Sequence, residues 1–244
     1  MMNTKILRFK EIDSTNRFLC HYQAPEGEEM TVAVADFQTA GCGMGTNTWE
    51  SQPGQNLLYS ILVHPHTLPV RRQFLLSMAQ AVALKEVLDE YTDGITVKWP
   101  NDIYWHNQKI SGTRIDTALS SQGIKDFILG TGLNVNQRAF RSQAPNPISL
   151  CQILGHPVDR EQLFQKVIAA FEQQYALITD GAYAQISEQY HDALYRADEL
   201  HAYRDRDGTF RAAIQRVEDD GHLLLRDSAG TLRRYAFKEL AFII

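Results

Sequence analysis

The sequence predicts an α+β protein in which a mixed or antiparallel central sheet packs with helices, followed by a small C-terminal β domain. Apolar and β-branched runs such as 31–38 and 56–63 have the composition of buried strands. Two long segments, 69–91 and 159–179, carry apolar residues at helical spacing. After residue 195 the chain changes to short strands separated by glycine turns.

The strands of the central sheet are short, and polar turns separate most of them. In chain order they are predicted at 5–11, 31–38, 56–63, 95–98, 103–105, 109–116 and 126–135. The turn His106-Asn107-Gln108 joins two of them as a hairpin. Strand 31–38 leads into a Gly-rich loop, residues 41–49, which carries three glycines at alternate positions. Because glycine holds neither helix nor strand well, we expect a mobile loop whose backbone can approach a ligand closely.

Helices are predicted where capping residues precede apolar residues at helical spacing. Asp13-Ser14-Thr15-Asn16 offers cap oxygens for a first helix through Cys20 to Gln23. Asp159 is the expected N-cap of the long helix 159–179, and Gly94 ends the helix at 69–91. Shorter helices are predicted at 149–154, after Pro145-Asn146-Pro147, and at 183–194.

The segment after residue 195 predicts a small antiparallel barrel or sandwich. Its turns are Asp207-Gly208, Asp220-Gly221 and Ala229-Gly230. A module this small has a limited core, so we expect it to lean on the main domain. Its strands are predicted at 199–203, 210–217, 222–226 and 232–237.

Composition narrows the class of protein. The chain has 244 residues, of which 44% are apolar and 22% charged, as in an ordinary globular protein. A net charge of −5 gives no general affinity for nucleic acid or an anionic membrane. The N-terminus lacks the apolar region of a signal peptide, and no apolar run reaches membrane-spanning length. Its three cysteines match no zinc or disulfide framework, and together these features predict a cytoplasmic protein.

The most informative stretch is a charged turn, Lys98-Trp99-Pro100-Asn101-Asp102, followed by a lysine at position 109. Pro100 fixes its own φ and pushes Trp99 towards an extended conformation. Two lysines, an amide and a carboxylate around a stiff turn suit a polyphosphate, because cations neutralise its oxygens and a carboxylate can hold Mg²⁺. The alternative is a surface turn whose charges are only solvated.

This turn, together with Lys109-Ile110-Ser111-Gly112 and Gly130-Thr131-Gly132-Leu133-Asn134-Val135-Asn136, resembles the core of the biotin protein ligases. Upstream, Ile12-Asp13-Ser14-Thr15-Asn16 and Gln38-Thr39-Ala40-Gly41 fit the same family in order and spacing. The resemblance implies a biotin/lipoate ligase-like catalytic domain over 1–195 and an SH3-like domain over 196–244. Because the Ser-Thr-Asn motif begins almost at the N-terminus, we do not expect the DNA-binding helix-turn-helix domain that some members carry.

The resemblance also implies a reaction and its partners. The biotin carboxylate attacks the α-phosphate of ATP, with Mg²⁺, and biotinyl-5'-AMP remains bound after pyrophosphate leaves. A lysine of a biotin carboxyl carrier protein then attacks the mixed anhydride, giving an amide and AMP. Neither nucleic acid nor membrane is an expected partner, and the sequence leaves a homodimer through the sheet edges open.

The resemblance assigns roles to individual residues. Lys109 would bridge the biotin carboxylate and the α-phosphate, while Asn101 and Asp102 would handle the metal-bound phosphates, with Asp102 as metal ligand. Lys98 would add positive charge, and Gly112 would allow close backbone approach. Ser14, Thr15, Asn16 and Gln38 would hold the bicyclic ring of biotin, and Asn134 would meet the nucleotide. Trp49 would close over the adenylate. The residues of the Gly-rich loop implied at the site are Gly41, Cys42, Gly43 and Met44.

The Gly-rich loop departs from the family pattern. Family members carry arginines in a Gly-Arg-Gly-Arg-like run, whereas this chain has Cys42 and Met44 there and no Lys or Arg between Gln38 and Arg71. Neither Cys nor Met can donate bidentate bonds to phosphate as arginine does. Arg114 stands where an apolar pocket residue is usual. It could replace a loop cation, narrow the biotin pocket, or pair with Asp116 on the same side of its strand.

Three functions therefore remain from the sequence. The first is an active biotin protein ligase with an unusual loop. The second is a degenerate homologue that binds a ligand or a partner without turnover, because the arginines are missing. The third is a related lipoate or octanoyl acyl transferase, in which Cys42 near Lys109 forms an acyl-thioester.

Overall fold

The computed structural model describes residues 2–45, 47–121, 123–141, 146–197 and 199–244. It contains a seven-stranded mixed sheet and a five-stranded antiparallel sheet. The first sheet has the order β1-β2-β3-β7-β6-β5-β4, and only β1 and β2 are parallel. Its strands are β1 (Thr4–Ile12), β2 (Met30–Gln38), β3 (Leu57–Val63), β4 (Ile95–Lys98), β5 (Asp102–Trp105), β6 (Gln108–Ser120) and β7 (Gly123–Leu133).

Helices cover both faces of this mixed sheet. On one face lies α1, whose Leu19 joins Ala33, Leu62 and Ile128 in a small apolar cluster. On the other face a large core joins the sheet to the longer helices. The helices are α1 (Thr15–His21), α2 (Phe74–Asp89), α3 (Leu150–Leu154), α4 (Arg160–Thr179) and α5 (Tyr183–Asp192). Among the described residues, no helix is both long and apolar enough to cross a bilayer.

The predicted helix caps are confirmed. Ser14 caps α1, where its side chain accepts a hydrogen bond from the Arg17 amide, and Asp159 caps α4 by accepting from the Glu161 and Gln162 amides. The helix predicted at 69–91 instead begins as a short 3₁₀ turn, Val70–Arg72, before α2. The helix predicted at 183–194 ends at Asp192.

The central hairpin differs from its prediction. The connection predicted between 116 and 126 is largely strand, because β6 and β7 stay paired from Ser111 opposite Leu133 to Ser120 opposite Gly123. The sequence concealed this extension because Ala118, Leu119 and Ser120 are exposed and show no buried-strand pattern. Thr46 of the Gly-rich loop and Pro145 lie outside the described residues.

The second sheet has the order β11-β10-β9-β8-β12. The sequence prediction missed β12, which has two residues and pairs with β8. A strand this short carries too little periodicity to be predicted, yet it brings the end of the chain back beside the mixed sheet. The strands are β8 (His201–Asp205), β9 (Gly208–Val217), β10 (Leu223–Asp227), β11 (Leu232–Tyr235) and β12 (Ala241–Phe242).

Hydrogen bonds attach the second sheet to the helices and the charged turn. Trp99 is 2% exposed, and its Nε1 donates to the carbonyl of Gly221, 2.9 Å away. The amide of Phe74 at the start of α2 donates to the Asp219 carbonyl, and the Val217 amide donates to His191 Nε2. Trp99 therefore packs against the second sheet and hydrogen-bonds to it. As expected, the small C-terminal β segment is supported by the main part of the fold.

We predict that Trp99→Phe lowers the free energy of unfolding by about 1–3 kcal/mol, because the Gly221 carbonyl loses its donor in a partly buried place. Urea unfolding measures the loss. The matched control is Trp105→Phe, whose indole donates to the Asp93 carbonyl at the exposed surface. Water can replace that donor, so equal losses in the two variants would contradict the prediction.

Candidate functional site

A cavity of about 840 Å³ lies between the mixed sheet, the Gly-rich loop and the last residues of the second sheet. It gathers nearly all the residues that the sequence singled out. Gly41 is the exception, since it lies in the loop but does not line the cavity. The predicted residues that do line it are Ser14, Thr15, Asn16, Gln38, Cys42, Gly43, Met44, Trp49, Lys98, Asn101, Asp102, Lys109, Gly112, Arg114 and Asn134.

One end of the cavity is a network of hydroxyl and amide groups. The amide and hydroxyl of Thr15 both donate to Gln38 Oε1, at 2.8 and 3.0 Å. Ser60 on β3 joins the network, with its Oγ 2.7 Å from the Thr15 hydroxyl and donating to Asn16 Oδ1 at 2.6 Å. Thr15, Asn16 and Ser60 are buried and Gln38 is half-buried. Because these groups hydrogen-bond to one another, their orientations are fixed before any ligand arrives.

Two glycines in β7 make room for this network and for the Gly-rich loop. A Cβ on Gly130 would overlap Asn16, and a Cβ on Gly132 would overlap the Trp49 ring, both closer than van der Waals contact allows. Neither glycine has a positive φ, so space rather than backbone conformation requires them. The Gly-Thr-Gly motif therefore has a steric role: it lets two side chains lie directly on the sheet.

An ion pair lies elsewhere on the cavity wall. Lys109 Nζ is 2.6 Å from Asp102 Oδ1, and their side chains are 24% and 15% exposed. The two residues belong to the antiparallel strands β5 and β6, where a β-bulge between Ile103 and Tyr104 shifts the register. A Cβ on Gly112 would lie 3.0 Å from Lys109 Nζ and 3.1 Å from Asp102 Oδ1. The missing side chain at Gly112 thus leaves space for this pair.

Lys98 and Asn101 are held by their surroundings. Lys98 Nζ lies 5.2 Å from the Tyr104 ring centre and 4.6 Å from that of Phe242. Burial lowers the pKa of Lys98, although the Asp102 carboxylate opposes the shift. The Asn101 side chain donates to the Thr113 carbonyl, and the Asn101 carbonyl accepts from the Thr113 amide. Asn101 thereby joins the charged turn to β6.

Asn134 directly follows β7 and is 3% exposed. Its Nδ2 donates to the Ile148 carbonyl at 3.0 Å, and its amide donates to the Ile110 carbonyl at 2.9 Å. The side chain therefore fastens the segment before α3 to the sheet while lining the cavity.

The Gly-rich loop folds back on itself. Cys42 and Thr48 pair as an isolated bridge, and the Gly43 amide donates to the Asn47 carbonyl at 2.8 Å. Cys42 Sγ lies 3.2 Å from the Ala40 carbonyl. Trp49 is the last residue of the loop, and its ring centre lies 5.9 Å from Lys109 Nζ. Its buried Nε1 has no hydrogen-bond partner among the described residues.

The sequence left three alternatives for Arg114, and the structure shows the third, an ion pair with Asp116. Its Nε and NH2 donate to the two oxygens of Asp116 at 2.8 and 3.0 Å, and these bonds raise the pKa of Arg114. Asp116 Oδ2 also accepts from Asn16 Nδ2 at 2.6 Å. Arg114 NH1 reaches the Gly43 carbonyl at 3.4 Å, so the same side chain joins the hydroxyl–amide network to the Gly-rich loop.

Several wall residues were missed by sequence reasoning. Ser60 lies within a uniformly buried strand, and only its polarity among apolar neighbours could have marked it. The end of the chain offered no signal, because Phe237, Lys238 and Phe242 reach the cavity only through the folding of the second sheet.

Comparison with known proteins agrees with this geometry. Residues 8–134 match the biotin/lipoate A/B protein ligase family. The bifunctional ligase/repressor BirA of Bacillus subtilis is 31% identical over 89% of this chain and 67% of its own length. The biotin--[acetyl-CoA-carboxylase] ligase of Paracoccus denitrificans is 25% identical over 81% of this chain and 84% of its own. The biotin protein ligase of Aquifex aeolicus in complex with biotin and ATP has a TM-score of 0.80 at 25% identity, and the match covers 97% of both chains.

We predict that Gly130→Ala lowers the free energy of unfolding by about 1–3 kcal/mol, because the new methyl group overlaps Asn16. In an Asn16→Ala background the same substitution should cost less than about 1 kcal/mol, because the obstacle is gone. Urea unfolding of the four proteins gives the coupling. Additive costs would mean that Asn16 and Gly130 do not compete for space.

Proposed function

The chain belongs to the biotin/lipoate A/B protein ligase family, and on that premise we propose that it is an ATP-dependent biotin protein ligase. It would join biotin to ATP as biotinyl-5'-AMP, releasing pyrophosphate. It would then transfer the biotinyl group to an acceptor lysine, releasing AMP. The first step makes a carboxylate into an acylating agent, because AMP is a far better leaving group than oxide.

The observation that carries this proposal is the composition of the cavity wall. A fixed set of neutral donors and acceptors lines it together with a lysine–carboxylate pair. Neutral groups suit the ureido ring of biotin, whereas a cation suits a carboxylate and a phosphate. The volume of about 840 Å³ lies within the range of small-molecule sites and leaves space for both ligands.

Lys109 would bridge the biotin carboxylate and the α-phosphate. Two negative groups must approach each other for the bond to form, and an ammonium between them lowers that repulsion. As charge develops on the α-phosphate oxygens, Lys109 would hold it. Asp102 lies 2.6 Å from Lys109 Nζ and fixes the position of the ammonium group before the substrates bind.

Asp102 would also hold Mg²⁺, which neutralises phosphate charge when bound. The described residues contain no cluster of three or more His, Cys, Asp or Glu side chains able to hold a metal ion. One carboxylate nevertheless fits magnesium, which in nucleotide sites takes one or two carboxylates and completes its shell with phosphate oxygens and water. Asn101 lies beside Asp102 in the same turn and would complete this end of the site.

The remaining roles follow from position in the cavity. Ser14, Thr15, Asn16 and Gln38 would hold the bicyclic ring, with the backbone at Cys42 and Gly43 beside it. Asn134 would meet the nucleotide side, and Trp49 would cover the adenylate and exclude water. Lys98, Met44 and Arg114 would line the region between the two substrates, with Lys98 adding positive charge.

We further propose that residues 1–195 form the catalytic domain and 196–244 an SH3-like domain. The acceptor would be a biotin carboxyl carrier protein, such as that of acetyl-CoA carboxylase. The three free cysteines and the need for ATP support a cytoplasmic location. The relatives favour turnover over binding alone, and they favour biotin over a lipoate or octanoyl group.

The proposal is tested by incubating the pure protein with ATP, Mg²⁺, biotin and a carrier domain, and following transfer by streptavidin blot. Lys109→Gln should slow transfer by about 100-fold or more, because it removes the cation from the reacting groups. Lys125→Gln is the control, since its side chain is 65% exposed on β7. Absence of transfer by the unmodified protein at any concentration would refute the proposal.

A second prediction concerns the Gly-rich loop, which has no arginine. Weak retention should let biotinyl-5'-AMP escape and label lysines of bystander proteins. Met44→Arg should slow release of the adenylate by about tenfold, the effect of one charge-assisted hydrogen bond. Met44→Leu keeps the volume without the charge and should change nothing. Labelling confined to a single carrier lysine in the unmodified protein would contradict this prediction.

A further inference from the structure

Among the described residues four cationic side chains line the cavity, and two of them are paired with carboxylates. Lys109 pairs with Asp102, and Arg114 pairs with Asp116. Lys98 is half-buried and lies beside two aromatic rings. The fourth is Lys238, which is exposed, lies 5.8 Å from the Phe237 ring centre and forms no ion pair with any described residue. An arriving polyanion would therefore meet Lys238 without first displacing a carboxylate.

Lys238 belongs to the second sheet but lies against the Gly-rich loop. A Cβ on Gly45 would lie 2.5 Å from Lys238 Nζ and 3.2 Å from its Cε. The ammonium group thus occupies the space that a side chain at position 45 would need. It supplies positive charge to a loop whose own sequence has no Lys or Arg.

The turn that carries Lys238 is held in place. The Ala236 amide donates to Glu239 Oε2 at 2.7 Å, and the Glu239 amide donates to the Ala236 carbonyl at 3.2 Å. Lys238 has a φ of +74°, a conformation uncommon for a residue with a side chain. On either side of it, Phe237 and Leu240 also line the cavity. The position of this cation is therefore set by the fold of the second sheet.

We propose that Lys238 is a phosphate-binding residue for the nucleoside triphosphate and takes the place of the cation that the Gly-rich loop lacks. This rests on the proposed function, which supplies the nucleotide. ATP would then contact both sheets, because Lys109 and Asp102 lie on the mixed sheet and Lys238 follows β11. The second sheet would contribute directly to nucleotide affinity.

The test compares Lys238→Gln with the unmodified protein in steady-state biotinyl-5'-AMP formation. Lys238→Gln should raise the KM for ATP by about tenfold, the size of one charge-assisted bond, and leave the KM for biotin unchanged. Lys238→Arg should restore most of the ATP affinity. The control is Arg206→Gln, which removes the same charge from a side chain that is 91% exposed in the β8–β9 turn. Equal ATP affinity in Lys238→Gln and the unmodified protein would overturn the proposal.

A second substitution tests the replacement itself. Met44→Arg should recover most of the ATP affinity lost in Lys238→Gln, and should gain less in the unmodified protein, because the two cations would serve the same phosphates. Equal gains in both backgrounds would overturn the idea that Lys238 stands in for a loop cation.

Binding of a non-hydrolysable ATP analogue, measured by calorimetry, separates the two proposals. If the unmodified protein forms no adenylate but binds the analogue more tightly than Lys238→Gln does, the ligase proposal fails and the role of Lys238 stands. If adenylate forms and the analogue binds both proteins equally, the role of Lys238 fails alone.

Discussion

The site depends on two missing side chains in the middle of β7. This strand lies between β3 and β6, so Gly130 is opposite both Ser60 and Arg114, and Gly132 is opposite Gly112. The gap at Gly130 admits Asn16 from the helix above, and the gap at Gly132 admits the Trp49 ring. Without these gaps the hydroxyl–amide network and the loop could not lie on the sheet, and the cavity between them would close.

Charge is arranged around the same surface in fixed pairs. Asp116 binds Arg114 through both oxygens and also accepts from Asn16, which makes one carboxylate responsible for the position of two donors. Asp102 holds Lys109 through one oxygen, Oδ1. These pairs are partly buried, where an unpaired charge would be costly, so each carboxylate both stabilises its cation and orients it.

Much of the fold and the site could be predicted from local patterns. The caps at Ser14 and Asp159 follow from hydrogen bonding within a few residues, and helix α4 follows from its apolar spacing. The sequence prediction was less complete for β6 and β7, because both strands continue beyond their buried residues. It missed β12, because two residues are too few to show an alternation of apolar and polar side chains. Arg114 illustrates the limit in the site, because its three alternatives differ only in what surrounds it.

The sequence by itself determined the order of the helices and of every strand except β12, the helix caps and many of the side chains that line the cavity. These depend on periodicity, turn chemistry and motif spacing, which act over short stretches of chain. Only the tertiary structure decided that Trp99 fastens the second sheet, that Arg114 pairs with Asp116, and that Lys238 reaches the loop at Gly45. Contacts between residues so far apart in the chain depend on how the two sheets pack, which no local pattern specifies.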